Sequence, residues 1–504
     1  MFRKLLIANR GEIALRVIRT ARALGVRTVA VYSEADLDSP HVWLADEAHP
    51  VGPAPAAQSY LNAETLLRVA RASGADAVHP GYGFLAEDAG FARAVGEAGL
   101  VFVGPSPETL AAVGEKTSAR RRMAAAGVPI VPGSEGVVET AGAALAAARD
   151  IGFPVLLKPA GGGGGKGMRL VGGPAELERE FAAAAREAER AFATPALYVE
   201  RHLGRVRHLE VQILGTDEGV IALGERECSV QRRHQKLAEE SPAPAVGAWT
   251  EGRSGLREAL ASAATRAAEA VGYRNAGTVE FLLDAEGEIH FIEVNARLQV
   301  EHPVTELVTG LDLVEAQLRI AAGELLPAAF RAARPAGWAI EVRVCAEDAE
   351  RGFLPAVGAV RALRLPAGPG VRWDGAIEEG TAVTPHYDSL LGKLCAWGPD
   401  RPAALARLGA ALDELRIDGV TTNAAFLRRL VRHPRFTAGD LHTGFAAEHV
   451  ADLAAGSATD PERLAVAVAW ESERRSAAEA SLNGRDFGRP SAWRSERPDF
   501  VWLG

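Results

Sequence analysis

Cysteine is scarce in this 504-residue sequence, and the three cysteines that occur lie far apart. Cys228, Cys345 and Cys395 form no Cys-X-X-Cys pair, which excludes a zinc ribbon and a disulfide framework. Three isolated thiols fit a reducing compartment best.

Long apolar runs are also missing. The apolar run before Asn9 comprises only the four residues 5–8, which is too short for the apolar core of a signal peptide. No run approaches the roughly 18 residues that a membrane span requires. We therefore expect a cytoplasmic protein that does not enter a membrane.

Positive charge is in slight deficit, with 56 lysines and arginines against 65 aspartates and glutamates and a net charge of −9. A mildly acidic chain is a poor candidate for binding nucleic acid or an anionic membrane. Lysine is rarer still, because nearly all the cations are arginines. A retained lysine can mark a need for a compact ammonium group, although chance retention is the alternative. The six lysines are Lys4, Lys116, Lys158, Lys166, Lys236 and Lys393.

Residues 1–112 alternate between strand and helix patterns, which predicts a βαβ series on a parallel sheet. The pattern predicts four strands there, at 4–8, 27–32, 75–79 and 100–103. A classical dinucleotide site would need Gly-X-Gly-X-X-Gly after the first strand, and Asn9-Arg10-Gly11-Glu12 does not match it. Beyond this region we expect further helices and strands, a hairpin at 278–295, a strand-rich part from about 331 and helices from 402.

Five consecutive glycines, 161–165, stand between two predicted strands and are followed by Lys166. Such a loop lets the backbone approach a ligand and direct N–H groups at phosphate oxygens, and the lysine can add charge. It is not a Walker loop, because Gly167 and a strand follow the lysine. A flexible linker is the alternative interpretation.

The hairpin at 278–295 carries a candidate metal site. If Glu286-Gly287 forms a two-residue turn, Glu280 lies directly opposite Glu293. Like charges that face each other repel, so a cation should lie between them. Asn295 shares the face of Glu293, and these oxygen ligands suit Mg²⁺, or Mn²⁺ in its place. Two solvated glutamates are the alternative.

The segment after this hairpin continues the polar pattern. If the strand stays extended, Arg297, Gln299 and Glu301 share the face of Glu293 and Asn295. A guanidinium and a carboxylate beside a metal–phosphate site could bind a small planar anion and manage its proton. A structural ion pair is the alternative for Arg297 and Glu301.

Two further segments are ambiguous by themselves. Residues 231–236 concentrate positive and polar groups, which indicates either a ligand site or a solvated basic turn. Residues 79–87 follow a predicted strand of the parallel sheet, where ligands lie in open α/β sheets, although a plain turn fits equally well.

Taken together, these motifs resemble the biotin carboxylase family of ATP-grasp enzymes, in order and over about residues 1–446. The matching stretches are 7–14, 79–85, 158–168, 231–236, 291–306 and 387–393. Ala296 stands where many relatives carry threonine, and Lys166 where some carry arginine. Neither change removes a group that the chemistry needs.

The resemblance implies an α/β chain, α+β overall, in several parts. These are a Rossmann-like N-terminal domain at 1–113, an ATP-grasp domain at 114–330 with a mobile lid at about 132–203, and a β-rich C-terminal domain at 331–446. The tail at 447–504 could begin a docking region or a missing domain, or be a partly disordered remnant.

The resemblance also implies the reaction, in which MgATP phosphorylates bicarbonate to carboxyphosphate and the carboxyl group passes to biotin. This is the first half-reaction of an acetyl- or acyl-CoA carboxylase. Glu301 resembles the base for bicarbonate, and Arg343 the group that stabilises the biotin enolate. Tyr82 lines the biotin pocket by the same resemblance. The ATP contacts implied are Lys116, Lys158, Gly163, Gly164, Gly165, Lys166, Glu200, Leu203, His208, Gln231 and His234. The metal ligands implied are Glu280, Glu293 and Asn295, and the bicarbonate contacts are Lys236, Arg297, Gln299 and Val300.

Biotin is expected as a substrate and not as a group attached to this chain. Carrier domains usually hold it on the lysine of a Met-Lys pair, and no such pair occurs here. Either a separate protein carries biotin, or the sequence is part of a longer acyl-CoA carboxylase α chain. The expected partners are a biotin carboxyl carrier protein or domain, a carboxyltransferase subunit and a second copy in a homodimer.

Two other interpretations stay open at this point. Another ATP-grasp ligase, such as a carbamoyl-phosphate or purine-pathway carboxylase, would share the lid and the metal face, but Arg297, Glu301 and Arg343 discriminate against it. A non-enzymatic scaffold with a decayed site is disfavoured because every expected charged group is present.

Overall fold

The computed structural model of the protein describes residues 1–161, 167–192, 194–249, 254–455 and 472. The chain divides into two compact units, Met1–Ala454 and Ala455–Gly504. The description below concerns the first unit. Gly163, Gly164, Gly165 and Lys166 lie outside the described residues, as does most of the predicted tail.

A five-stranded parallel sheet with strand order β3-β2-β1-β4-β5 forms the N-terminal part. Its strands are β1 (Lys4–Ile7), β2 (Arg27–Ser33), β3 (Glu47–Gly52), β4 (Ala77–His79) and β5 (Val101–Phe102). The helices of this part are α1 (Gly11–Ala23), α2 (Pro40–Leu44), α3 (Ala63–Ser73), α4 (Ala89–Glu97), α5 (Pro107–Gly114) and α6 (Lys116–Ala125). The predicted parallel βαβ series is confirmed.

One strand of this sheet was not predicted. β3 contains Pro50 and few apolar residues, so it lacks the usual strand pattern. Proline cannot donate to a strand ladder and is tolerated at a sheet edge, which is where β3 lies.

A small three-stranded antiparallel sheet with order β7-β6-β8 follows, covered by two helices. Its elements are α7 (Ala141–Ile151), β6 (Val155–Pro159), β7 (Arg169–Val171), α8 (Pro174–Phe192) and β8 (Leu197–Arg201). Its apolar side chains form a core of their own, which includes Leu157, Ala184 and Val199. This substructure lies within the predicted lid.

The rest of the chain contains mainly antiparallel strands. They are β9 (Arg207–Thr216), β10 (Gly219–Arg232), β11 (Gln235–Ser241), β12 (Asn275–Leu283), β13 (Ile289–Asn295), β14 (Trp338–Cys345), β15 (Glu347–Asp348), β16 (Leu354–Pro355), β17 (Gly358–Ala359), β18 (Ala362–Arg364), β19 (Val371–Gly375), β20 (Ala382–Val383), β21 (Leu390–Gly398) and β22 (Arg416–Asp418). The helices are α9 (Ser254–Glu269), α10 (His302–Thr309), α11 (Leu313–Ala321), α12 (Ala328–Ala332), α13 (Arg401–Glu414), α14 (Ala424–Arg432), α15 (Pro434–Thr437), α16 (Phe445–Glu448) and α17 (Val450–Ala454). The strand-rich part after residue 331 is confirmed.

Eight of these strands form one sheet with the order β13-β12-β9-β10-β11-β14-β21-β19. The pairing of β11 with β14 sets Ala238 opposite Val342 and Glu239 opposite Glu341. One continuous sheet therefore joins strands from both sides of residue 330, and it brings the segment around Lys236 beside Arg343.

The hairpin of β12 and β13 confirms one expectation and corrects another. Glu280 lies directly opposite Glu293, as predicted. The turn is not the two residues Glu286-Gly287, because the connection comprises residues 284–288 and Ile292 is an extra residue that shifts the register. The reason is local, since the Asp284 carboxylate accepts the backbone N–H groups of Glu286 and Glu288 and holds a longer turn.

The structure shows the state of the cysteines and the length and polarity of the helices. All three cysteines are buried free thiols. Within the described ranges, every helix is too short or too polar to cross a lipid bilayer.

Candidate active site

A row of charged residues crosses four neighbouring strands of the eight-stranded sheet. Glu293, Glu280, Glu210 and Arg226 lie directly opposite one another on β13, β12, β9 and β10. Directly opposite residues project on the same face of a sheet. The Arg226 side chain is fully buried, and its Nε lies 2.5 Å from Glu210 Oε1. Three carboxylates and one guanidinium thus share one face.

Lys236 supplies a cation for Glu210 and Glu280, which face each other on β9 and β12. Its Nζ lies 2.6 Å from Glu210 Oε2, 3.0 Å from Glu280 Oε1 and 2.5 Å from Glu301 Oε1. Burial favours the neutral amine, but Cys228 and the three carboxylates raise the pKa of Lys236 well above its ordinary value. Lys236 is therefore a fixed positive charge among the carboxylates.

Glu280 has further partners on both of its oxygens. His208 Nε2 lies 3.0 Å from Glu280 Oε2, and Gln299 Nε2 donates to Oε1 over 3.1 Å. Burial would raise the pKa of Glu280, but Lys236 and His208 hold it well below the usual range. Gln231 Nε2 in turn lies 3.2 Å from His208 Nδ1. The glutamate is thus an ionised group held in one orientation.

The segment after β13 does not continue as a strand, so the predicted extended stripe is wrong. β13 ends at Asn295, and Glu301 directly precedes α10. Pro303 stands in the first turn of α10, a position that favours the start of a helix. The predicted side chains still meet, because Arg297 donates to Asn295 Oδ1 over 3.1 Å and to Gln299 Oε1 over 3.0 Å.

Glu301 lies between two cations. Its Oε1 faces Lys236, and Arg343 Nη2 lies 2.9 Å from its Oε2. Burial would raise the pKa of this carboxyl group, but Lys236, Arg343 and Arg226 hold it well below the usual range. Arg343 also donates from Nε to Glu239 Oε1 over 2.6 Å. Burial raises the pKa of Glu239 to about 7, although Arg343 opposes the shift.

Three predicted nucleotide contacts of the lid and of α6 take part in ion pairs. Lys158 on β6 forms an ion pair with Glu200 on β8. Arg120 Nη1 also lies 2.7 Å from Glu200 Oε1. Lys116, the first residue of α6, places Nζ 3.3 Å from Glu293 Oε2 at the end of the carboxylate row.

Two predicted contacts, within the described ranges, make no hydrogen bond to this cluster, although His208 and Lys158 lie near enough to His234 to add to the lowering of its pKa by desolvation. His234 is exposed at the tip of the β10–β11 hairpin, where Arg233 and His234 both have positive φ, as tight hairpin turns require. Leu203 lies partly buried in the loop after β8. Among the described residues, no hydrogen bond links His234 or Leu203 to the carboxylate row.

Tyr82 and Val300 each contact a charged side chain. Tyr82 follows β4, and its hydroxyl donates a hydrogen bond to the Glu12 carboxylate. The Val300 carbonyl accepts a hydrogen bond of 2.9 Å from Lys393 Nζ. Segment 79–87 is therefore more than an isolated turn, since Glu87 accepts from the Ala296 N–H over 2.9 Å.

Several site residues were not predicted. Glu87 holds the Arg297 guanidinium at 3.0 Å, and Glu239 holds Arg343. Glu210 and Arg226 complete the carboxylate row, which is the row of charged residues that begins with Glu293 and Glu280. A sequence signal was present for Glu210, a charged residue among the apolar residues of 209–214, but not for Arg226, which stands between Glu225 and Glu227.

The donor set fits a divalent metal ion that prefers oxygen ligands. Glu280 and Glu293 face each other, and Asn295 pairs with Thr278 on the same two strands. His208, Glu210 and Glu280 offer ligand atoms that all lie within 4.8 Å of one another. Carboxylate and amide oxygens next to lysines suit Mg²⁺ with a nucleotide's phosphates. Such a site on a large antiparallel sheet, in a chain that also has a small sheet covered by helices, is typical of the ATP-grasp class of enzymes.

Comparison with protein families agrees with this class and narrows it. Residues 1–110 match the biotin carboxylase N-terminal domain, and residues 115–329 match the ATP-binding domain of the carbamoyl-phosphate synthase L chain. Residues 341–448 match the biotin carboxylase C-terminal domain.

Curated relatives give the same result. The chain is 49% identical over 451 residues to biotin carboxylase from Halalkalibacterium halodurans, covering 89% of this chain and 98% of the relative. It is 48% identical over 452 residues to the mitochondrial methylcrotonoyl-CoA carboxylase subunit alpha from Glycine max, covering 89% of this chain and 61% of that protein.

Solved structures of biotin carboxylases are also similar to this chain. The biotin carboxylase domain dimer of Hydrogenobacter thermophilus 2-oxoglutarate carboxylase, bound to MgADP, ADP and bicarbonate, has a TM-score of 0.86 at 42% identity. The match covers 91% of this chain and 100% of that one. A nucleotide complex of Campylobacter jejuni biotin carboxylase has a TM-score of 0.85 at 42% identity, over 89% and 99% of the two chains.

The chain belongs to the biotin carboxylase family. It is thus one of the ATP-grasp ligases, and within that class it is of the kind that carboxylates biotin with bicarbonate and consumes ATP. The alternative of a carbamoyl-phosphate or purine-pathway ligase is disfavoured, because the domains on both sides of the ATP-binding region match biotin carboxylase.

Proposed function

We propose that this chain carboxylates carrier-bound biotin and that the cluster around Glu301 carries out the chemistry. The observation that carries the proposal is the position of the Glu301 carboxylate between Lys236 and Arg343, on a wall shared with Glu280. This arrangement offers a base, cations for an anionic substrate and oxygens for a metal within one buried cluster.

For nucleotide and metal, the proposal assigns Glu280, Glu293 and Asn295 to Mg²⁺ or Mn²⁺. Bound there, the ion would neutralise phosphate charge and orient the γ-phosphoryl group. Lys116 pairs with Glu293 and Lys158 pairs with Glu200, and ammonium groups of this kind can contact phosphates. The further assigned ATP contacts are Gly163, Gly164, Gly165, Lys166, Glu200, Leu203, His208, Gln231 and His234.

For bicarbonate, the proposal assigns Lys236, Arg297, Gln299 and Val300 to binding and Glu301 to proton removal. Bicarbonate is a weak nucleophile, so it must lose its proton to attack the γ-phosphate. With Lys236 and Arg343 on its two oxygens, Glu301 is a weak base. An incoming anion competes for these cations, which raises the pKa of Glu301 when the substrate is in place.

For biotin, the proposal assigns Arg343 and Tyr82. Arg343 is held by Glu239 and Glu301, so its guanidinium has a fixed direction. A fixed cation stabilises the negative charge that develops on the biotin oxygen as its nitrogen is deprotonated. Carboxyphosphate hydrolyses quickly, and a lid over the site would exclude water.

Partners follow from the relatives. Carboxylase alpha chains are among them, which supports partnership with a biotin carrier and a carboxyltransferase. A domain dimer among the solved structures supports a homodimer. We further propose the cytoplasm as the location, which suits three buried free thiols.

Phosphate release by the purified chain tests the proposed function. We expect ATP cleavage that requires bicarbonate and that free biotin stimulates. ATP cleavage without bicarbonate, or cleavage indifferent to biotin, would contradict the proposal. Formation of carbamoyl phosphate from an added ammonium salt would favour the rival ligase.

A further inference from the structure

The segment 296–301 has no regular secondary structure, although it carries the proposed bicarbonate contacts and base. Its backbone oxygens lack the partners of a regular strand or helix, so turn contacts and side-chain donors must satisfy them, and the His302 N–H donates to the Gln299 carbonyl over 3.3 Å. His302 Nδ1 lies 2.7 Å from the Gln299 carbonyl, and Lys393 Nζ donates to the Val300 carbonyl over 2.9 Å. Two side chains from outside the segment thus fix two consecutive carbonyl groups.

Lys393 lies on β21 and is fully buried. A buried ammonium group is costly unless it is paired and hydrogen-bonded. Its charge is balanced by Glu12, whose Oε1 lies 3.1 Å from Nζ, and by Asp374 at 4.0 Å. The Val300 carbonyl is uncharged, so that contact serves geometry more than charge balance.

The Glu12 carboxylate also contacts Tyr82. The Tyr82 hydroxyl donates to Glu12 Oε1, the oxygen that also faces Lys393. A chain of contacts therefore runs from Tyr82 through Glu12 and Lys393 to Val300. It joins the two residues that the proposed function places around biotin and bicarbonate, and these residues come from different parts of the sequence.

We propose that Lys393 is a positioning residue that fixes the Val300 carbonyl and, through Glu12, the Tyr82 ring, and so sets the affinity for biotin. The inference rests on the proposed function. Lys393 does not need to touch a substrate in this role. A compact ammonium is required, because the planar guanidinium of arginine presents its donors in a different geometry.

The test is Lys393→Met, which keeps an unbranched apolar stem and removes the ammonium. We expect KM for free biotin to rise by about tenfold, the effect of losing a hydrogen bond to a charged donor. The Kd for ATP, measured by calorimetry, should stay within about twofold, since Lys393 contacts none of the proposed nucleotide ligands. An unchanged KM for biotin overturns the inference.

A matched control is Lys4→Met. Lys4 also bridges a carboxylate and a backbone carbonyl, with Nζ 2.8 Å from Glu47 Oε1 and 2.5 Å from the Ser73 oxygen. It lies at the start of β1, away from the cluster. The control should leave KM for biotin unchanged, and an equal rise in both variants overturns the inference.

A double variant separates positioning from charge balance. Lys393→Met leaves Glu12 as an uncompensated buried carboxylate, which lowers stability. Adding Glu12→Gln removes that charge and keeps an oxygen that can accept from Tyr82. We expect the double variant to regain Tm but to keep the raised KM for biotin. Recovery of both Tm and KM would reduce Lys393 to charge compensation and overturn the inference.

Failure of the proposed function itself would appear elsewhere. If the wild-type protein shows no biotin-stimulated ATP cleavage, the proposed function is refuted. If the wild type is active and the Lys393 variants have the same KM for biotin, only the positioning role is refuted.

Discussion

At the scale of single residues, Glu301 illustrates how surroundings decide chemistry. Both carboxylate oxygens are occupied by cations, and the side chain is fully buried. In that state it is a poor base, and the proposed mechanism needs the bicarbonate anion to compete for Lys236 and Arg343 and so raise the pKa of Glu301. The resting ion pairs therefore restrain proton removal until the substrate arrives.

Glu301→Gln tests the base directly. The amide keeps the shape of the side chain but cannot accept the bicarbonate proton. We expect kcat for bicarbonate-dependent ATP cleavage to fall by about 100- to 10,000-fold, the usual contribution of a general base. ATP binding, measured by calorimetry, should be retained, and kinetics like those of the wild type would refute the assignment.

Glu306→Gln is a suitable control for that variant. Glu306 is also a buried glutamate, and it is paired with Arg16 and Arg372 at 2.7 Å each. Because the proposed chemistry does not use it, kcat should change far less than in Glu301→Gln once the folded fraction is taken into account.

Arg343→Ala separates the two half-steps of the reaction. Without the guanidinium, carboxyl transfer to biotin loses its charge stabilisation, whereas ATP cleavage depends on it less. We expect biotin-dependent turnover, followed as carboxybiotin, to fall by at least about 100-fold, in the range found for a lost oxyanion donor. Arg401→Ala is the control, because Arg401 makes a similar buried pair with Glu240 at 2.7 Å. Equal loss of both activities in Arg343→Ala would contradict the role.

At the scale of elements, the cross-strand row explains the shape of the site. Glu293, Glu280, Glu210 and Arg226 come from four strands, and their register places them side by side. Like charges on neighbouring strands destabilise a sheet unless cations separate them. The row is thus stable only with Arg226 and Lys236 in place.

Arg226→Met tests the contribution of this row to folding. The variant leaves Glu210 with one cation fewer in a fully buried position, and the loss of one partner of a buried pair costs about 3–5 kcal/mol. Arg331→Met is the control, because its pair with Glu218 is exposed and worth about 0–1 kcal/mol. Urea unfolding measures both. Equal, small losses in the two variants would contradict the account of the row.

The sequence predicts the pairing within the β12–β13 hairpin, but not the path of the chain from Asn295 to Glu301. An assumed two-residue turn at Glu286-Gly287 placed Glu280 opposite Glu293, and this pairing is right although the turn is not, because the extra residue Ile292 restores the register. The prediction missed this extra residue, since the Asp284 side chain decides the length of the turn. The extended stripe to Glu301 failed because the start of a helix at His302 bends the chain.

At the scale of the whole molecule, one sheet unites parts that are distant in sequence. β11 pairs with β14, about a hundred residues later, and this pairing brings Arg343 to Lys236 and Glu301. Periodicity cannot specify which distant strands pair, so only the resemblance to a family pointed to Arg343. Lys393 and Glu87 could be connected to the site only from the structure, because their partners lie far away in the chain.

The transfer of labelled oxygen tests the central claim most directly. The account holds that bicarbonate, deprotonated at Glu301, attacks the γ-phosphate of ATP. With ¹⁸O-bicarbonate, MgATP and free biotin, mass spectrometry of the released phosphate should therefore detect oxygen from bicarbonate. Phosphate that carries oxygen only from ATP and water would show that bicarbonate is not the nucleophile and would contradict the account.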